Sequence, residues 1–141
     1  MPLLNYTTQI NSFKTVAEIQ QILVKHGAKK IMQDYDSNGG IVAVEFLIPT
    51  PMGEQGVRLP ANIDAVDKVL QRQKVKGGRE QAERVAWRIV KDWVEAQMAI
   101  LESQMVSIDE VFLPYIINPT DGQTIYQLFQ SKQLLLRGGN E

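Results

Sequence analysis

The chain has 141 residues, no cysteine, and fifteen lysines and arginines against sixteen aspartates and glutamates. That length can bury roughly two-thirds of the surface an unfolded chain exposes, enough for one domain over residues 1–141 without staples, while the absence of thiols excludes disulfides, thiolate metal sites and a cysteine nucleophile and suits a reducing compartment. There is neither a basic-then-apolar leader in "MPLLNYTTQINSF" nor an apolar run of about eighteen residues, so export and membrane spanning are not expected.

In chain order, Ser12 to His26 reads as a helix. Thr15 and Glu18 have capping-box spacing, Val16, Ile19, Ile22 and Leu23 form a stripe, and Gly27 can stop the helix in a left-handed conformation. From Ala28 to Pro60 the pattern changes to short branched segments, "KKIMQDY", "IVAVEFLI" and "GVRL", separated by the turn compositions "DSNGG" and "TPMGEQ". Three antiparallel strands are expected, with Val42, Val44, Phe46 and Ile48 on one face of the middle strand and helices covering that face. The opening "LLNYTTQI" is a candidate fourth, edge strand. A second helix follows, capped by Asn62 and carrying Ile63, Val66, Val69 and Leu70, and it ends near the basic, glycine-containing connector "KVKGGR". A long third helix covers about residues 78–106. Ser107 and Glu110 open a short fourth helix with capping-box spacing, stopped near Pro114; "NPTDG" is a turn, "QTIYQLFQSK" is amphipathic, and residues 136–141 are expected to fray. The order (β)-α-β-β-β-α-α-α is an α+β fold, a three- to four-stranded antiparallel sheet packed by helices with a long central helix in the C-terminal half.

That long helix carries both tryptophans. Ala82, Val85, Ile89, Trp93, Ala96 and Ile100 form one stripe, and Trp87, Val90, Val94, Met98, Leu101 and Met105 form a second beside it. A helix apolar over so wide an arc needs cover on two sides, from the sheet and other helices or from a second subunit. Core or interface roles are therefore expected for Trp87, Trp93, Ile89, Val90 and Ile100, and a homo-oligomer is one way to meet the demand. On the polar remainder, Arg88 with Asp92 and Lys91 with Glu95 are four apart and can pair.

Charge is unevenly distributed. Lys68 to Lys91 holds eight of the fifteen bases and only Glu80 and Glu83 of the sixteen acids, a net +6 in twenty-four residues, and the rest of the chain carries −7. Such a segment attracts phosphates even in a slightly acidic molecule. Arg72, Lys74, Lys76, Arg79, Arg84 and Arg88 are the candidates for a phosphate track, with Trp87 beside them as a stacking platform for a base if it is exposed, or as core if it is not.

Other chemistry is sparse. "DYDSNGGIVAVE" matches a calcium loop through Asp34, Asp36, Asn38, Gly39 and Glu45, because oxygen ligands at those spacings surround a hard cation. That motif requires a helix on its exit side, and the chain runs instead into "FLIPTP", so the same letters are read as a hairpin with "SNGG" at its turn. The one histidine, His26, sits at a helix stop, where an imidazole meets the last carbonyls. With no phosphate-cradling glycine loop, no nucleophile beside a base, and no cofactor motif, catalysis is not expected.

Taken together, "MPLLNYTT", "KTVAEIQQILVKHGAKKIMQDYD", "VRLPANIDAV", "RVAWRIVKDWVEAQMAILE" and "VFLPY" resemble a family of small proteins carried by bacteriophages and prophages. The resemblance spans almost the whole chain and brings no established activity or site residue. It implies a bacterial host cytoplasm and a role in phage DNA metabolism or in disabling host defence. The length of "QRQKVKGGREQ" varies within that family, which departs from what a fixed phosphate site would need. Three functions follow as expectations: a non-enzymatic nucleic-acid-binding accessory protein, most naturally for single strands; an anti-defence protein that binds a host protein or sequesters a signalling nucleotide; or an oligomeric interaction protein built on Trp87 or Trp93.

Overall fold

The computed structural model describes residues 1–132; the tail expected to fray, residues 136–141, lies outside them. Helix α1 (Ser12–Lys25) begins at Asn11, whose side chain accepts from the Phe13 N–H at 2.8 Å. The expected Thr15–Glu18 box is not the cap. Thr15 is buried inside the helix, and an Asn immediately before the first turn satisfies a free N–H more directly than a residue within it. Gly27, at φ 101°, ends the helix, and the Ala28 N–H reaches back to the Leu23 carbonyl at 3.0 Å.

Three strands follow, β1 (Lys29–Tyr35), β2 (Ile41–Thr50) and β3 (Gly53–Pro60), forming an antiparallel sheet in the order β1-β2-β3. The fourth strand expected at the N-terminus is absent: residues 4–7 are a turn, with Asn5 at φ 64°, and that segment lies across the helices instead. Asp36 folds the β1–β2 turn by accepting the N–H groups of Asn38 and Gly40, both at 2.9 Å. Strict alternation along β2 also fails at one place. The register steps from Asp34↔Ala43 to Tyr35↔Ile41, so an extra β2 residue bulges there, and Ile41 is buried while Val42 is only half-buried. Val44, Phe46 and Ile48 keep the expected face, and all three are buried.

After Pro60, α2 (Ile63–Arg72) is capped by the Asn62 side chain, which accepts from Ala65 N–H at 3.1 Å. The long helix α3 (Gly78–Glu102) packs between α1 and α2. Its Trp87 has no exposed surface and donates its indole N–H to the Ile41 carbonyl, beside the bulge, at 3.0 Å. Helix α4 (Ile108–Phe112) has the capping box of Ser107 and Glu110 and is followed by a 3-10 turn (Leu113–Tyr115). It brings Phe112 edge-on to Phe46, with centroids 5.3 Å apart, and to Trp93 at 5.9 Å. The chain then passes along the outer edge of β3, where the Ile117 N–H donates to the Gly56 carbonyl at 2.8 Å, before α5 (Ile125–Lys132). Most of the wide apolar arc of α3 is thus covered within one chain by α1, α2, α4 and the sheet; the helix ends at Glu102 rather than near residue 106, so Met105, expected to close the second stripe, lies beyond it and is exposed, as is Ala96. Among the described residues no helix is long and apolar enough to cross a membrane.

Candidate nucleic-acid interface

The basic segment is one run in sequence and two environments in the fold. Its first part leaves the C-terminus of α2. The Val75 N–H donates to the Leu70 carbonyl at 2.9 Å, with Lys74 at φ 61°, so the chain reverses tightly there and enters α3 through Gly77 and Gly78. Arg72, Lys74 and Lys76 are all exposed on this connector, and none pairs with an acid among the described residues.

The second part is engaged. Arg79 turns toward α2 and binds Asp64 at 2.5 Å, and that hydrogen bond, reinforced by the charge, holds the Asp64 carboxyl below its ordinary range. The Arg84 guanidinium forks onto the Gln81 side-chain oxygen at 2.7 and 3.0 Å. Arg88 faces the opposite flank, toward α1, where it binds Glu18 at 2.7 Å and approaches the buried Thr15 hydroxyl at 3.4 Å. Lys91 pairs with Glu95 at 2.9 Å, the four-residue pair expected from sequence, whereas Arg88 takes Glu18 from another helix rather than Asp92. Asp92 in turn accepts from the Asn5 side chain at 2.8 Å. The six-residue phosphate track is therefore split: Arg72, Lys74 and Lys76 follow one another, exposed, from the end of α2 through the reversal, while Arg79, Arg84 and Arg88 are tied down in different directions. The stacking reading of Trp87 fails outright, because both ring faces lie in the core. The same burial removes Trp87 as an intersubunit contact. Trp93 is half-buried between Phe112 and Tyr115, and Ile89, Val90 and Ile100 are also half-buried.

Beside Lys74 and Lys76 lies an open concavity of about 400 Å³, walled by Tyr6, Thr7, Gln9, Gln73 and Gln81 as well as the two lysines. The N-terminal segment builds half of it. Gln73 accepts from the Leu3 N–H at 3.0 Å and donates to the Met1 carbonyl at 3.1 Å; the buried Gln81 amide donates to the carbonyls of Tyr6 and Thr8 at 2.9 and 3.0 Å. These glutamines were not candidates from sequence. Nothing in a lone Gln at the foot of a helix signals that a segment about seventy residues earlier will lie against it.

The calcium-loop residues are arranged otherwise than the motif requires. Arg58 on β3 binds both Asp34 and Glu45 across three strands, the latter at 2.5 Å. Burial works against the Arg58 charge, but the two carboxylates outweigh it and raise its pKa. Asp36 serves the turn and Asn38 is exposed. Among the described residues no three His, Asp or Glu side chains are placed to hold a metal ion. His26 hydrogen-bonds the Ile22 carbonyl at 2.8 Å through Nδ1 and Glu102 at 3.0 Å through Nε2, and these two contacts, the carbonyl first, raise its pKa. Near the hairpin turn, burial and then the proximity of Asp36 push the Glu83 carboxyl up.

No protein-family model, curated protein or solved structure matches the chain.

Proposed function

We propose that the protein is a non-enzymatic nucleic-acid-binding accessory protein that grips the phosphates of a single strand at the α2–α3 connector, with Arg72, Lys74 and Lys76 as the contacts. The setting that its sequence resemblance suggests is a bacteriophage or prophage in a host cytoplasm. The observation that carries the reading is the contrast in pairing: among the described residues of one basic segment, Arg72, Lys74 and Lys76, like Lys68 just before them, stand exposed without acid partners, whereas Arg79, Arg88 and Lys91 are held by acids, and Lys74 and Lys76 line a concavity. Flexible cations at that spacing track a phosphate backbone, while the Gln73 and Gln81 amides hold the N-terminal segment that forms the other wall. Base stacking on Trp87 is not part of the proposal.

The test is fluorescence anisotropy with single- and double-stranded oligonucleotides at 50 and 200 mM salt. Three single-strand phosphate contacts predict a log–log salt slope of about −2, hence affinity falling by about twentyfold over that range. Binding that ignores salt, or that survives conversion of Lys74 and Lys76 to glutamine, removes the proposal.

The same concavity supports a second reading, sequestration of a signalling nucleotide, since its volume lies within the range of small-ligand sites. Competition separates the two: a free nucleotide that displaces an oligonucleotide at far lower concentration than other mononucleotides favours the second.

A further inference from the structure

A nucleotide carries a flat, largely apolar base close to its phosphate, so a site that takes one sets an aromatic or apolar surface beside cations. The concavity of about 400 Å³ at the α2–α3 connector has that composition. Lys74 and Lys76 line it and are exposed, and Val75 between them is half-buried against the core. From the N-terminal segment comes Tyr6, the one aromatic residue in the wall. It too is half-buried against the core, and among the described residues it stacks on no other ring. The fold thus brings to the basic connector the aromatic side chain that Trp87, sealed in the core, does not provide.

A segment outside regular secondary structure makes a poor wall unless it is tied down. This one is tied on both sides of the tyrosine. The Tyr6 N–H donates to the Leu3 carbonyl at 3.1 Å, closing a turn in which Asn5 has φ 64°, and the Asn5 side chain donates to Asp92 on α3 at 2.8 Å. The carbonyls of Tyr6 and Thr8 both accept from the Gln81 amide, at 2.9 and 3.0 Å. Gln81 is buried, and the Arg84 guanidinium holds its side-chain oxygen, so the amide is fixed in one orientation. Arg84 therefore orients Gln81, and Gln81 places Tyr6. A wall fixed in advance spares a ligand the entropy of ordering it.

Resting on the phosphate reading above, we propose that the concavity receives one unpaired base of the bound strand, which stacks on Tyr6 and packs against Val75 while Lys74 and Lys76 hold adjacent phosphates. A base that enters such a site has left its duplex, so the concavity itself selects single strands, which the phosphate contacts alone do not.

The test sets two oligonucleotides of equal phosphate count against each other on the full chain, one bearing bases and the other an abasic sugar–phosphate strand. The wild type should prefer the base-bearing strand by at least about fivefold, the low end for one base stacked on an aromatic ring, with the same salt slope for both. Tyr6→Leu, which keeps an apolar side chain against the core, should remove most of that preference and leave the slope unchanged, and Tyr6→Phe should retain it, with both variants folded by circular dichroism. Equal affinity of the wild type for the two strands, a comparison that needs no variant, overturns the base site, as does a preference that Tyr6→Leu leaves intact; in either case a persisting salt slope keeps the phosphate contacts standing. Absence of salt-dependent binding by either strand removes both. A mononucleotide that displaces the strand at equal concentration, and loses that ability on Tyr6→Leu, supports the base site with a free nucleotide as its occupant.

Discussion

Lys74 and Arg88 belong to the same basic run, yet the fold uses them in opposite ways. Arg88 reaches Glu18 and Thr15 across a helix–helix contact, with only 16% of its side chain exposed. Lys74 stands in water on a reversal of the chain, with no acid near it among the described residues. A net charge of +6 thus overstates what an anion could meet, because acids far away in sequence, Asp64 and Glu18, neutralise part of it from neighbouring helices. Positive charge on a helix face is often fold chemistry; positive charge on a connector with no acid opposite is the part left for a ligand.

The largest effect that would break this contrast is on stability. Truncating Arg88 to alanine strands Glu18 at a half-covered position and removes the guanidinium from the α1–α3 seam, so a loss of about 1–3 kcal/mol is expected in denaturant unfolding. Oligonucleotide affinity should not change beyond what unfolding explains. A variant as stable as wild type would put Arg88 in the same class as Lys74.

Next comes binding. Lys76→Gln should weaken an oligonucleotide at every salt concentration and lower the salt slope by about 0.7, the contribution of one single-strand phosphate contact. Arg79→Gln, three residues on, removes the same formal charge but one already held by Asp64, and should leave the slope near its wild-type value. Equal effects of the two changes on the slope would show that pairing does not decide which cations are available.

Much of this architecture was legible in the chain itself, for identifiable reasons. Asn62, Gly27 and the Ser107–Glu110 pair act within a few residues of where they stand, so local rules place them. Alternation along "IVAVEFLI" gave the strand and most of its buried face, and the doubled stripe of α3 told correctly that it needed cover on two sides. What escaped depends on distant partners. The bulge beside Ile41 is set by cross-strand register, Arg79 and Arg88 are claimed by other helices, and the N-terminal segment lies on Gln73 and Gln81 rather than joining the sheet. The candidate site was legible only as a region; which cations remain exposed in it required the fold.

A smaller effect concerns Glu83, one of the two acids in this basic segment. Glu83 has its pKa raised, first by burial and then by Asp36, so the folded state holds the proton more tightly than the unfolded chain does. Stability from this group is therefore greatest below the ordinary value near 4.5 and declines as the pH rises through the folded value. Glu83→Gln should raise the melting temperature at pH 7, and the gain should vanish below about pH 4, where both forms are neutral. A gain independent of pH would assign the effect to packing against Gly40, where a Cβ would come within 2.7 Å of a Glu83 carboxylate oxygen.

The smallest effect bears most directly on the contrast, because it separates stability from binding at one residue. Lys74 occupies the left-handed position that closes α2, with its N–H donated to the Gln71 carbonyl at 3.0 Å and φ at 61°. A side chain there costs about 1 kcal/mol that glycine does not, and the larger unfolded-state entropy of glycine returns part of the difference. Lys74→Gly should therefore be neutral or stabilising by up to about 1 kcal/mol while weakening oligonucleotide binding. Those opposite signs are what a residue held for its charge, against the preference of the backbone, has to give. If Lys74→Gly gains stability and binds as before, the lysine at this turn has no ligand role and the interface reduces to Arg72 and Lys76, too few contacts for the salt dependence proposed above.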